Sequence, residues 1–588
     1  MISKIIFKLR SIFFKPNSKL ELWLRTQYHR FNKTHLSFLI NDWLSKRSYK
    51  SWRSGQKKSA RGENQALSHQ PKISFIISRR TSDEQALLDT QESIRDLIGD
   101  NWEIIHYFPQ SVTSTSVIGN QNQDQHIKVF PHNEKRLDEL IEGDFVIFCK
   151  SGDQFSQELL ADFYKILEAE NTADWYYFDC EYQDDRNGKI PPLFKPQSFS
   201  PDLLLSLNYI SRGFIRTSII KDFLRNKSIH KNLLDIEYEL ALHLYEAGRS
   251  IKHIPNILVS QTNPVMPDTN ERKKIIARHL NRLGLQDVKA EAKASGTRFV
   301  WKHSNPSIAI VIPTKNNEKL LSNCLASLRE VTSYKNYQIH IVDNASDDLK
   351  TIQYYQTINS DPNIYIHHYP EKFNYSRVNN LGAAKSDSDL ILFLNDDMEI
   401  FESDWLSELV QWVIRPEIGV VGTKLIRANH TIQHAGIIMG LNGFAGHIYL
   451  NSPEHYHGLF GSVDWYRDYL ALTGACQMLR REVFNEVGGY DEGYEIAFGD
   501  IDFCIRVHES GYRNIYTPFA PVFHYEGQSR GYSTPHSDIL RAYEMMETAL
   551  SNEDPYFSPN LTYTRIPQCR TTDDQKQIIA QRKSFHTK

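Results

Sequence analysis

The chain has 588 residues, of which 40% are hydrophobic and 12% aromatic, a content that excludes wholesale disorder. Because single hydrophobic cores stop growing at roughly 250 to 300 residues, a chain of this length divides into two or three domains. The net charge of −3 conceals a basic head, since residues 1–70 hold 15 Lys and Arg against 3 Asp and Glu. Such a head favours an anionic partner, either a membrane surface or nucleic acid.

The first predicted element, in residues 1–16, is an amphipathic helix. Its apolar residues recur at helical spacing with Lys and Arg between them, at Ile2, Ile5, Ile6, Leu9, Ile12 and Phe13. The interrupting charges and the short length, well below the roughly 20 residues of a spanning helix, exclude a bilayer span, and no export-signal cleavage site follows. We expect this helix either to contact the inner face of the cytoplasmic membrane or to pack on its own domain, and we expect no nucleic-acid partner.

A first α/β unit follows the basic, helical or partly disordered residues 1–70. It is predicted to span residues 71–265, and its strands begin with KISFIIS, WEIIHYF and DFVIFCK. A helical linker over residues 266–305 comes next. Its helix is expected at residues 271–284, with Gly284 as the stop, and a short polar connector completes it.

A second α/β unit is predicted over residues 306–545, with a C-terminal tail over 546–588. It opens with IAIVIPT, a continuous run typical of a parallel strand covered on both faces. The next helix presents one apolar face, made of Leu320, Leu321, Cys324, Leu325 and Leu328. The six cysteines of the chain show no CxxC pair or metal-finger spacing, which predicts a reducing cytoplasmic environment and no zinc site.

The two units share an order of elements, which indicates an internal duplication. DFVIFCKSGDQF in the first half corresponds to DLILFLNDDMEI in the second. LDIEYELALHLYEAGRSIKHIP likewise corresponds to GDIDFCIRVHESGYRNIYTP, with helix, glycine and strand at matching offsets. The acidic residues differ between the copies, so we expect one copy to have lost its chemistry.

Polar residues that directly follow apolar strands are the first candidates for a ligand site, because open parallel sheets bind ligands beyond the carboxyl ends of their strands. Four clusters of the second unit meet this condition: PTKNN at 313–317, VDNAS at 342–346, LNDDM at 394–398 and FHYE at 523–526. The candidate nucleotide-sugar ligands among them are Pro313, Thr314, Asn317, Asp343, Asn344 and Asp396.

Asp396 and Asp397 end one of these strands, where two carboxylates would repel each other without a cation between them. Mg²⁺ or Mn²⁺ held by carboxylates and phosphate oxygens would neutralise the charge that grows on a departing nucleotide diphosphate. The alternative is a solvated turn, because Asp and Asn favour turns. His524, at the end of APVFH, offers a further metal ligand, although a histidine at a strand end also serves structural roles.

Asp500 and Asp502 lie at the start of a predicted helix that ends near Gly511. A carboxylate at a helix start can act simply as an N-cap, worth about 1 kcal/mol. The functional interpretation makes Asp500 a general base that takes the proton of an acceptor hydroxyl. Asp502 cannot share the helical face of Asp500, so we expect it to support the site through hydrogen bonds.

Together these motifs resemble the inverting family 2 glycosyltransferases, in particular the tandem form of bacterial O-antigen, capsule and rhamnan biosynthesis. The resemblance covers about residues 71–540. It rests on VIPTKNN, IVDNASDD, FNYSRVNNLGA, FLNDDMEI, GVVGTKLI, TIQHAGIIMGL, LTGACQMLRREVFNEVGGYDE, AFGDIDFCIRVHESGYRN and VFHYEGQSRGY, in the order of the family. It implies two tandem GT-A-type (Rossmann-like) nucleotide-sugar-binding domains, the first of them degenerate.

The resemblance also implies roles for individual residues. Asp343 would contact the nucleotide base, Asp397 with Asp396 would hold the metal and the diphosphate, and His524 would complete the metal coordination. Asp500 would be the catalytic base, although Gly499 stands where the family has an acidic or amide residue. Arg530 would meet the diphosphate with its planar guanidinium, and Gly474 and Ala475 would face the donor and acceptor sugars.

The first half departs from the family where chemistry is needed. Lys150, Ser151 and Gly152 replace most of the acidic cluster and leave only Asp153, and Glu237 replaces the expected catalytic aspartate. A degenerate domain that keeps packing or acceptor-binding roles is expected, and a divergent but active transferase is the alternative.

The predicted activity is metal-dependent transfer of a sugar from a nucleotide-diphosphate donor to a hydroxyl of a glycan or lipid-linked oligosaccharide acceptor, with inversion. The alternatives are nucleotidyl transfer, since metal-bound aspartates on an α/β fold also suit that reaction, and a non-catalytic glycan-binding scaffold at the membrane. Membrane helices and the QxxRW motif of processive synthases are not visible in the sequence, so short or single additions are expected.

Overall fold

The computed structural model describes residues 35–59, 70–78, 84–107, 126–130, 137–170, 172–183, 191–225, 233–261, 270–293, 296–525 and 534–585. The predicted amphipathic helix of residues 1–16 and Arg530 lie outside the described residues. No helix within the described ranges is long and apolar enough to cross a bilayer.

The first unit is preceded by a long helix, α1 (His35–Ser59). Its strands are β1 (Ile73–Ser78), β2 (Trp102–Tyr107), β3 (Ile127–Phe130), β4 (Phe145–Lys150), β5 (Gln154–Phe155), β6 (Trp175–Tyr182), β7 (Phe214–Arg216) and β8 (Ile251–Gln261). Its helices are α2 (Glu84–Arg95), α3 (Leu137–Leu140), α4 (Leu159–Ala169), α5 (Leu203–Ser206), α6 (Thr217–Arg225) and α7 (Leu233–Glu246).

The linker carries α8 (Asn270–Arg282), β9 (Gln286–Lys293) and β10 (Gly296–Lys302). The second unit has strands β11 (Ile308–Thr314), β12 (Tyr337–Asp343), β13 (Ile364–His368), β14 (Leu390–Leu394), β15 (Met398–Ile400), β16 (Ile418–Ile426), β17 (Ile432–His434), β18 (Ile437–Met439), β19 (Ala445–His447), β20 (His457–Gly458), β21 (Gly461–Ser462), β22 (Arg467–Tyr469), β23 (Cys476–Arg480) and β24 (Arg513–His524). The remaining helices are α9 (Glu318–Val331), α10 (Leu349–Ile358), α11 (Tyr375–Ala384), α12 (Trp405–Val413), α13 (Arg481–Glu486), α14 (Gly499–Glu509), α15 (His536–Met545), α16 (Glu547–Ser551) and α17 (Thr572–Phe585).

The main sheets of the two units have the same topology. The first runs β3-β2-β1-β4-β7-β6-β8-β5, and the second runs β13-β12-β11-β14-β23-β16-β24-β15. Strand directions also agree, since β7 and β23 are each antiparallel to both neighbours while β6–β8 and β16–β24 are parallel. The predicted α/β class with two tandem units is therefore confirmed, and the shared topology is what an internal duplication produces.

The central strand of the second sheet is buried on both faces, as its sequence predicts. Every residue of β11 is buried, and alternate side chains enter different cores: Ile310 and Ile312 join one hydrophobic cluster and Val311 the other. The face of α9 predicted to be apolar packs inward through Leu321, Cys324, Leu325 and Leu328. This two-sided packing holds the carboxyl ends of the parallel strands in fixed register.

Two sequence-based interpretations are corrected by the structure. The predicted polar connector after α8 is an antiparallel hairpin, β9–β10, because Trp301 on β10 packs on Trp412 of α12 with ring centroids 5.1 Å apart. The predicted tail also packs on the body of the protein. Asn560 donates to Asp179 of the first unit at 3.1 Å, and the backbone N–H of Cys569 donates to Ser48 of α1 at 2.9 Å.

A buried ion network joins the two units. Asp202 of the first unit pairs with Arg513 and, at 3.4 Å, with Arg415 of the second. Asp468 pairs with Arg513 at 2.6 Å and accepts a hydrogen bond from Ser200 at 2.5 Å. Because breaking a buried charge pair leaves an uncompensated charge, this network opposes separation of the units.

Candidate functional site

The carboxyl ends of β11, β12 and β13 meet at one edge of the second sheet. Thr314 lies in register with Asp343, and Asp343 lies in register with His368. Pro313 occupies the preceding position of β11, and the backbone N–H of Asn344 donates to the carbonyl of Thr314 at 2.9 Å. The structure thus brings the first two predicted polar clusters together.

Asp343 is buried in a polar nest. Its Oδ1 accepts a hydrogen bond from Tyr355 Oη at 2.8 Å, and Nδ1 of His368 lies 3.2 Å from its Oδ2. The backbone N–H of Ser346 lies 3.3 Å from both oxygens. Burial, reinforced by the adjacent carboxylate, raises the pKa of Tyr355, so this hydroxyl stays protonated and donates. Neither Tyr355 nor His368 was identified from the sequence: Tyr355 lies within α10, and His368, although it ends β13, belongs to none of the four predicted polar clusters.

Asp396 is oriented toward β11 and the start of α9. Its Oδ2 accepts hydrogen bonds from Thr314 Oγ1 at 2.7 Å and from Asn317 Nδ2 at 3.1 Å. The side-chain amide of Asn344 donates to the carbonyls of Tyr369 and Glu371 instead. Thr314, Asn317 and Asp396 therefore form one hydrogen-bonded group, and Asn344 braces the loop after β13.

Asp397 and His524 form the second acidic feature of the edge. β15 pairs with β24 so that Met398 lies opposite His524, which places His524 Nε2 3.2 Å from Asp397 Oδ1. In the part of the chain that the structure describes, Asp397 Oδ1 and His524 Nδ1 are buried without a hydrogen-bond partner. A carboxylate beside an imidazole, with unsatisfied buried atoms, suits a divalent cation that also takes phosphate oxygens.

The predicted three-ligand metal set of Asp396, Asp397 and His524 is not assembled as one cluster. Among the described residues, no group of three or more His, Cys, Asp or Glu side chains has metal-binding proximity. The physical reason is local geometry, since Asp396 and Asp397 lie in the turn between β14 and β15, from which their side chains leave in different directions. Asp396 turns toward Thr314 while Asp397 turns toward His524, so two protein ligands remain.

Asp500 lies at the second position of α14, and its carboxylate is hydrogen-bonded to Gly474, just before β23. Its Oδ2 accepts from the backbone N–H of Gly474 at 2.8 Å, and Tyr375 Oη donates to the carbonyl of Gly474 at 2.9 Å. A Cβ on Gly474 would lie 3.0 Å from Tyr375 Oη and 3.1 Å from Asp500 Cβ, which leaves no room for a side chain. Burial raises the pKa of Asp500, a direction that suits a general base.

The acidic loop is hydrogen-bonded to the segment that holds Asp500. The backbone N–H of Asn395, next to Asp396, donates to the carbonyl of Ala475 at 3.0 Å. Ala475 adjoins Gly474, whose backbone N–H donates to Asp500. The segments that carry Asp397 and Asp500 are thus neighbours, and the convergence of the groups at 397, 500 and 524 on one diphosphate stays a prediction.

Asp502 has a supporting position. Its carboxylate is buried and pairs with Arg506 at 2.8 Å, and the guanidinium of Arg506 donates to the carbonyls of Val487 at 2.6 Å and Gly489 at 2.9 Å. These bonds attach α14 to the loop that precedes it. Asp502 therefore contacts this loop through Arg506, and its supporting role in the site stays a prediction.

Asp538 on α15 holds the segment that leads into Asp500, and sequence reasoning missed it. Its buried carboxylate accepts the backbone N–H groups of Glu495, Ile496 and Ala497 at 2.9, 2.8 and 2.9 Å. The segment then passes through Phe498, which has a left-handed φ of 70°. The sequence carries no signal for this bond, because Asp538 and its donors are about 40 residues apart and belong to no common motif.

The first unit contains a counterpart of this site with different contents. Glu237 of α7 accepts the backbone N–H of Arg212 at 2.7 Å, which matches the bond between Gly474 and Asp500. Asp153 precedes β5 as Asp397 precedes β15. Arg212 Nε donates to Asp153 at 2.9 Å, so the guanidinium contacts the counterpart of Asp397.

The charged groups of this counterpart site lie next to one another. Arg212, Asp153 and Glu237 are all buried, and Arg212 has a left-handed φ of 64°. Burial raises the pKa of Glu237 to about 7, against the opposing effect of the Arg212 guanidinium. Where the second unit has Gly474, the first has Arg212, whose guanidinium supplies a positive charge beside Asp153.

Comparison with known proteins assigns the second unit to a family. Residues 309–488 match the family model described as "Glycosyl transferase family 2". The O-antigen biosynthesis protein RfbC of Myxococcus xanthus is 32% identical over 438 residues, which covers 72% of this chain and 34% of that protein. The O-antigen chain rhamnosyltransferase RfbN of Salmonella typhimurium is 28% identical over 242 residues, which covers 40% of this chain and 70% of that protein.

Similarity also extends over most of the chain. The uncharacterized protein y4gI of Sinorhizobium fredii is 29% identical over 536 residues, covering 85% of this chain. The chain spans 58% of the length of y4gI and 34% of the length of RfbC. Among solved structures, GalNAc-T7 with UDP, GalNAc and Mn²⁺ is 15% identical with a TM-score of 0.36, covering 54% of this chain and 65% of that chain.

Proposed function

Because residues 309–488 form a family 2 glycosyltransferase domain, we propose that the second unit transfers a sugar from a nucleotide-diphosphate donor to a hydroxyl of a cell-surface glycan acceptor. The observation that carries the proposal is the contiguity of two features: the Asp397–His524 pair, 3.2 Å apart, and the Asp500 carboxylate held by Gly474. One feature suits the leaving diphosphate and the other suits the attacking hydroxyl.

Asp397 and His524 would hold Mg²⁺ or Mn²⁺, which when bound supplies positive charge against the departing diphosphate. Both side chains are buried and lie on paired strands, so their positions are set before a donor arrives. Asp396, held by Thr314 and Asn317, would keep the acidic loop in the conformation that presents Asp397.

Asp500 would act as the general base of an inverting displacement. The acceptor oxygen forms a bond to the anomeric carbon, the bond from that carbon to the diphosphate oxygen breaks, and the hydroxyl proton passes to the Asp500 carboxylate. Burial keeps the pKa of Asp500 above its ordinary value, which strengthens it as a proton acceptor. The close approach of Gly474 to Asp500 lets its backbone N–H hold the carboxylate in place.

Donor recognition would fall to the edge formed by β11 and β12. Asp343, fixed by Tyr355 and His368, presents an oriented acceptor for N–H groups of a nucleotide base. Arg530 remains the predicted partner of the diphosphate, and Ala475 would face the sugars.

The cellular role that we propose is assembly of O-antigen, capsule or exopolysaccharide on the cytoplasmic face of the inner membrane. The names of RfbC and RfbN support this role, and the second of them supports a rhamnosyl or related hexosyl donor. The acceptor in this scheme is a glycan or a lipid-linked oligosaccharide.

The first unit is proposed to be non-catalytic. In its counterpart site Asp153, the counterpart of Asp397, is paired with the Arg212 guanidinium, so a side-chain cation stands where the second unit is proposed to bind a metal ion. A guanidinium beside a carboxylate supplies permanently the charge balance that a metal would supply transiently.

A donor screen with the purified chain tests the proposal. We expect Mg²⁺- or Mn²⁺-dependent release of nucleoside diphosphate, with rhamnose and common hexose donors tested first. Release of pyrophosphate would instead identify a nucleotidyltransferase, and tight glycan binding without donor consumption would identify a scaffold. Asp500→Asn should abolish turnover while donor binding, measured by calorimetry, is kept; full activity of this variant would refute the assigned base.

A further inference from the structure

The helix α1 presents an exposed face that combines large apolar side chains with basic ones. Leu36, Leu39 and Trp43 are 59%, 47% and 55% exposed. They recur every three or four residues, so they share one side of the helix. The same side continues with Lys46, Arg47 and Lys50, which are also exposed.

The opposite side of α1 is fixed to the body of the protein. Phe38 packs edge-on against Tyr456 of the second unit, with ring centroids 5.2 Å apart, and Trp52 packs on Phe194 of the first unit at 5.2 Å. Ser45 donates to the carbonyl of Pro567 at 2.6 Å. α1 is therefore a rigid part of the surface, and its exposed face is presented in a constant orientation.

The two halves of the exposed face match the two layers of an anionic bilayer surface. Three apolar side chains suit burial at the boundary between headgroups and acyl chains, where Trp is preferred. Lys46, Arg47 and Lys50 are exposed on this face, whereas Arg53 pairs with Glu181 of the body and Asp42 pairs with Lys46. Anionic headgroups therefore complement the net positive charge of the face. The guanidinium of Arg47 lies 5.1 Å from the ring centre of Trp43, which keeps a cation directly beside the apolar patch.

We propose that this face of α1 docks the protein on an anionic lipid surface, with Leu36, Leu39 and Trp43 inserted at the interface and Lys46, Arg47 and Lys50 on the headgroups. This contact is separate from the one predicted for residues 1–16, and it does not rest on the proposed glycosyl transfer. A helix held across both units would set the whole protein at one orientation to the membrane.

Flotation of the full chain with vesicles tests the proposal. Binding is expected to vesicles of phosphatidylglycerol and phosphatidylcholine, to weaken with added salt, and to be much weaker with phosphatidylcholine alone. Leu39→Ser with Trp43→Ser should lower the partition coefficient about tenfold or more. Arg47→Glu with Lys50→Glu should lower it at least as much and remove its salt dependence.

Matched controls separate this face from other surfaces. Leu349 on α10 is 72% exposed and its neighbour Ile352 38% exposed, so Leu349→Ser with Ile352→Ser removes a similar apolar area elsewhere and should leave vesicle binding unchanged. Ile5→Asp with Ile6→Asp reports on residues 1–16. Unchanged binding of the α1 variants together with lost binding of this last variant would overturn the proposal.

Two further readouts complete the test. Sedimentation velocity should show the same oligomeric state for the wild type and for Leu39→Ser with Trp43→Ser; a shift from dimer to monomer would assign the face to a second copy of the chain and overturn the proposal. Donor turnover with a soluble acceptor should be the same in the wild type and the α1 variants. Failure of vesicle binding thus leaves the proposed enzyme activity intact, and failure of activity leaves membrane docking intact.

Discussion

Asp538→Asn is the most direct test of how this fold positions its proposed base. The wild-type carboxylate accepts the N–H of Glu495 on Oδ1 and the N–H groups of Ile496 and Ala497 on Oδ2. Asparagine has nearly the same shape but a single acceptor oxygen. In either orientation of the amide, at least one backbone N–H faces an NH₂ group and loses its acceptor.

The expected size of the effect follows from these bonds. A hydrogen bond to a charged group contributes about 1.5–3 kcal/mol, which corresponds to about tenfold to hundredfold in an equilibrium constant. The segment 495–497 leads directly into α14, so its loosening lowers the fraction of molecules in which Asp500 is correctly placed. We expect kcat to fall about tenfold to hundredfold, while the donor KM changes little because Asp343 and Asp397 lie on other strands.

The assay is nucleoside diphosphate release at saturating donor and acceptor, with a pH profile and a thermal melt for each variant. Loosening should admit water to Asp500 and lower its raised pKa, so the acidic limb of kcat should move to lower pH in Asp538→Asn.

Asp389→Asn is the matched control, since Asp389 accepts the N–H and the hydroxyl of Ser307 at 2.8 Å each, at the opposite end of the strands. Equal losses of kcat in both variants, or a lowered melting temperature with unchanged kcat in Asp538→Asn, would refute the positioning role.

Three other predictions follow from the same geometry. In the wild type, kcat should fall as the pH falls through a pKa above the usual value of about 4 for aspartate, because burial raises the pKa of Asp500 and only the deprotonated form accepts a proton; a pH-independent rate down to pH of about 4 would contradict this. His524→Ala should raise the Mn²⁺ concentration needed for half-maximal activity at least about tenfold, measured by metal titration, since it removes one of two protein ligands; an unchanged titration would exclude His524 from the metal site. Glu237→Gln should make the melting temperature less dependent on pH between about 4 and 7. The folded protein keeps the Glu237 proton up to a pKa of about 7 while the unfolded chain releases it near its ordinary value, so the wild type loses more stability than the variant as the pH rises through this window; parallel pH profiles of the two proteins would refute it.

Much of the fold could be predicted because the relevant signals are local. The unbroken apolar run IAIVIPT predicts a strand that is buried on both faces. The spacing of the apolar residues in α9 predicts which side of that helix is packed. Asp343, Asp397 and Asp500 could be selected from the sequence in the same way, because strand ends and helix starts are recognised from consecutive residues.

The contents of the site were decided by contacts between distant segments. Asp396 accepts a hydrogen bond from Thr314, whereas Asp397 lies beside His524. The sequence pattern did not predict which of the two aspartates would contact His524. Asp538 reaches the segment before Asp500 only because α15 packs there. Pairings of this kind depend on how elements meet in space, so no spacing in the sequence carries them.

The two counterpart sites show the same difference between what the sequence predicts and what the tertiary structure decides. The sequence alone predicts two α/β units and the loss of the acidic cluster from the first. Only the tertiary structure shows what replaced that cluster. The backbone N–H of Arg212 donates to Glu237, as the backbone N–H of Gly474 donates to Asp500, and the side chain of Arg212 pairs with Asp153. The physical reason is that a buried carboxylate needs hydrogen-bond donors or a cation beside it, and which of them it has depends on which groups the fold brings within reach.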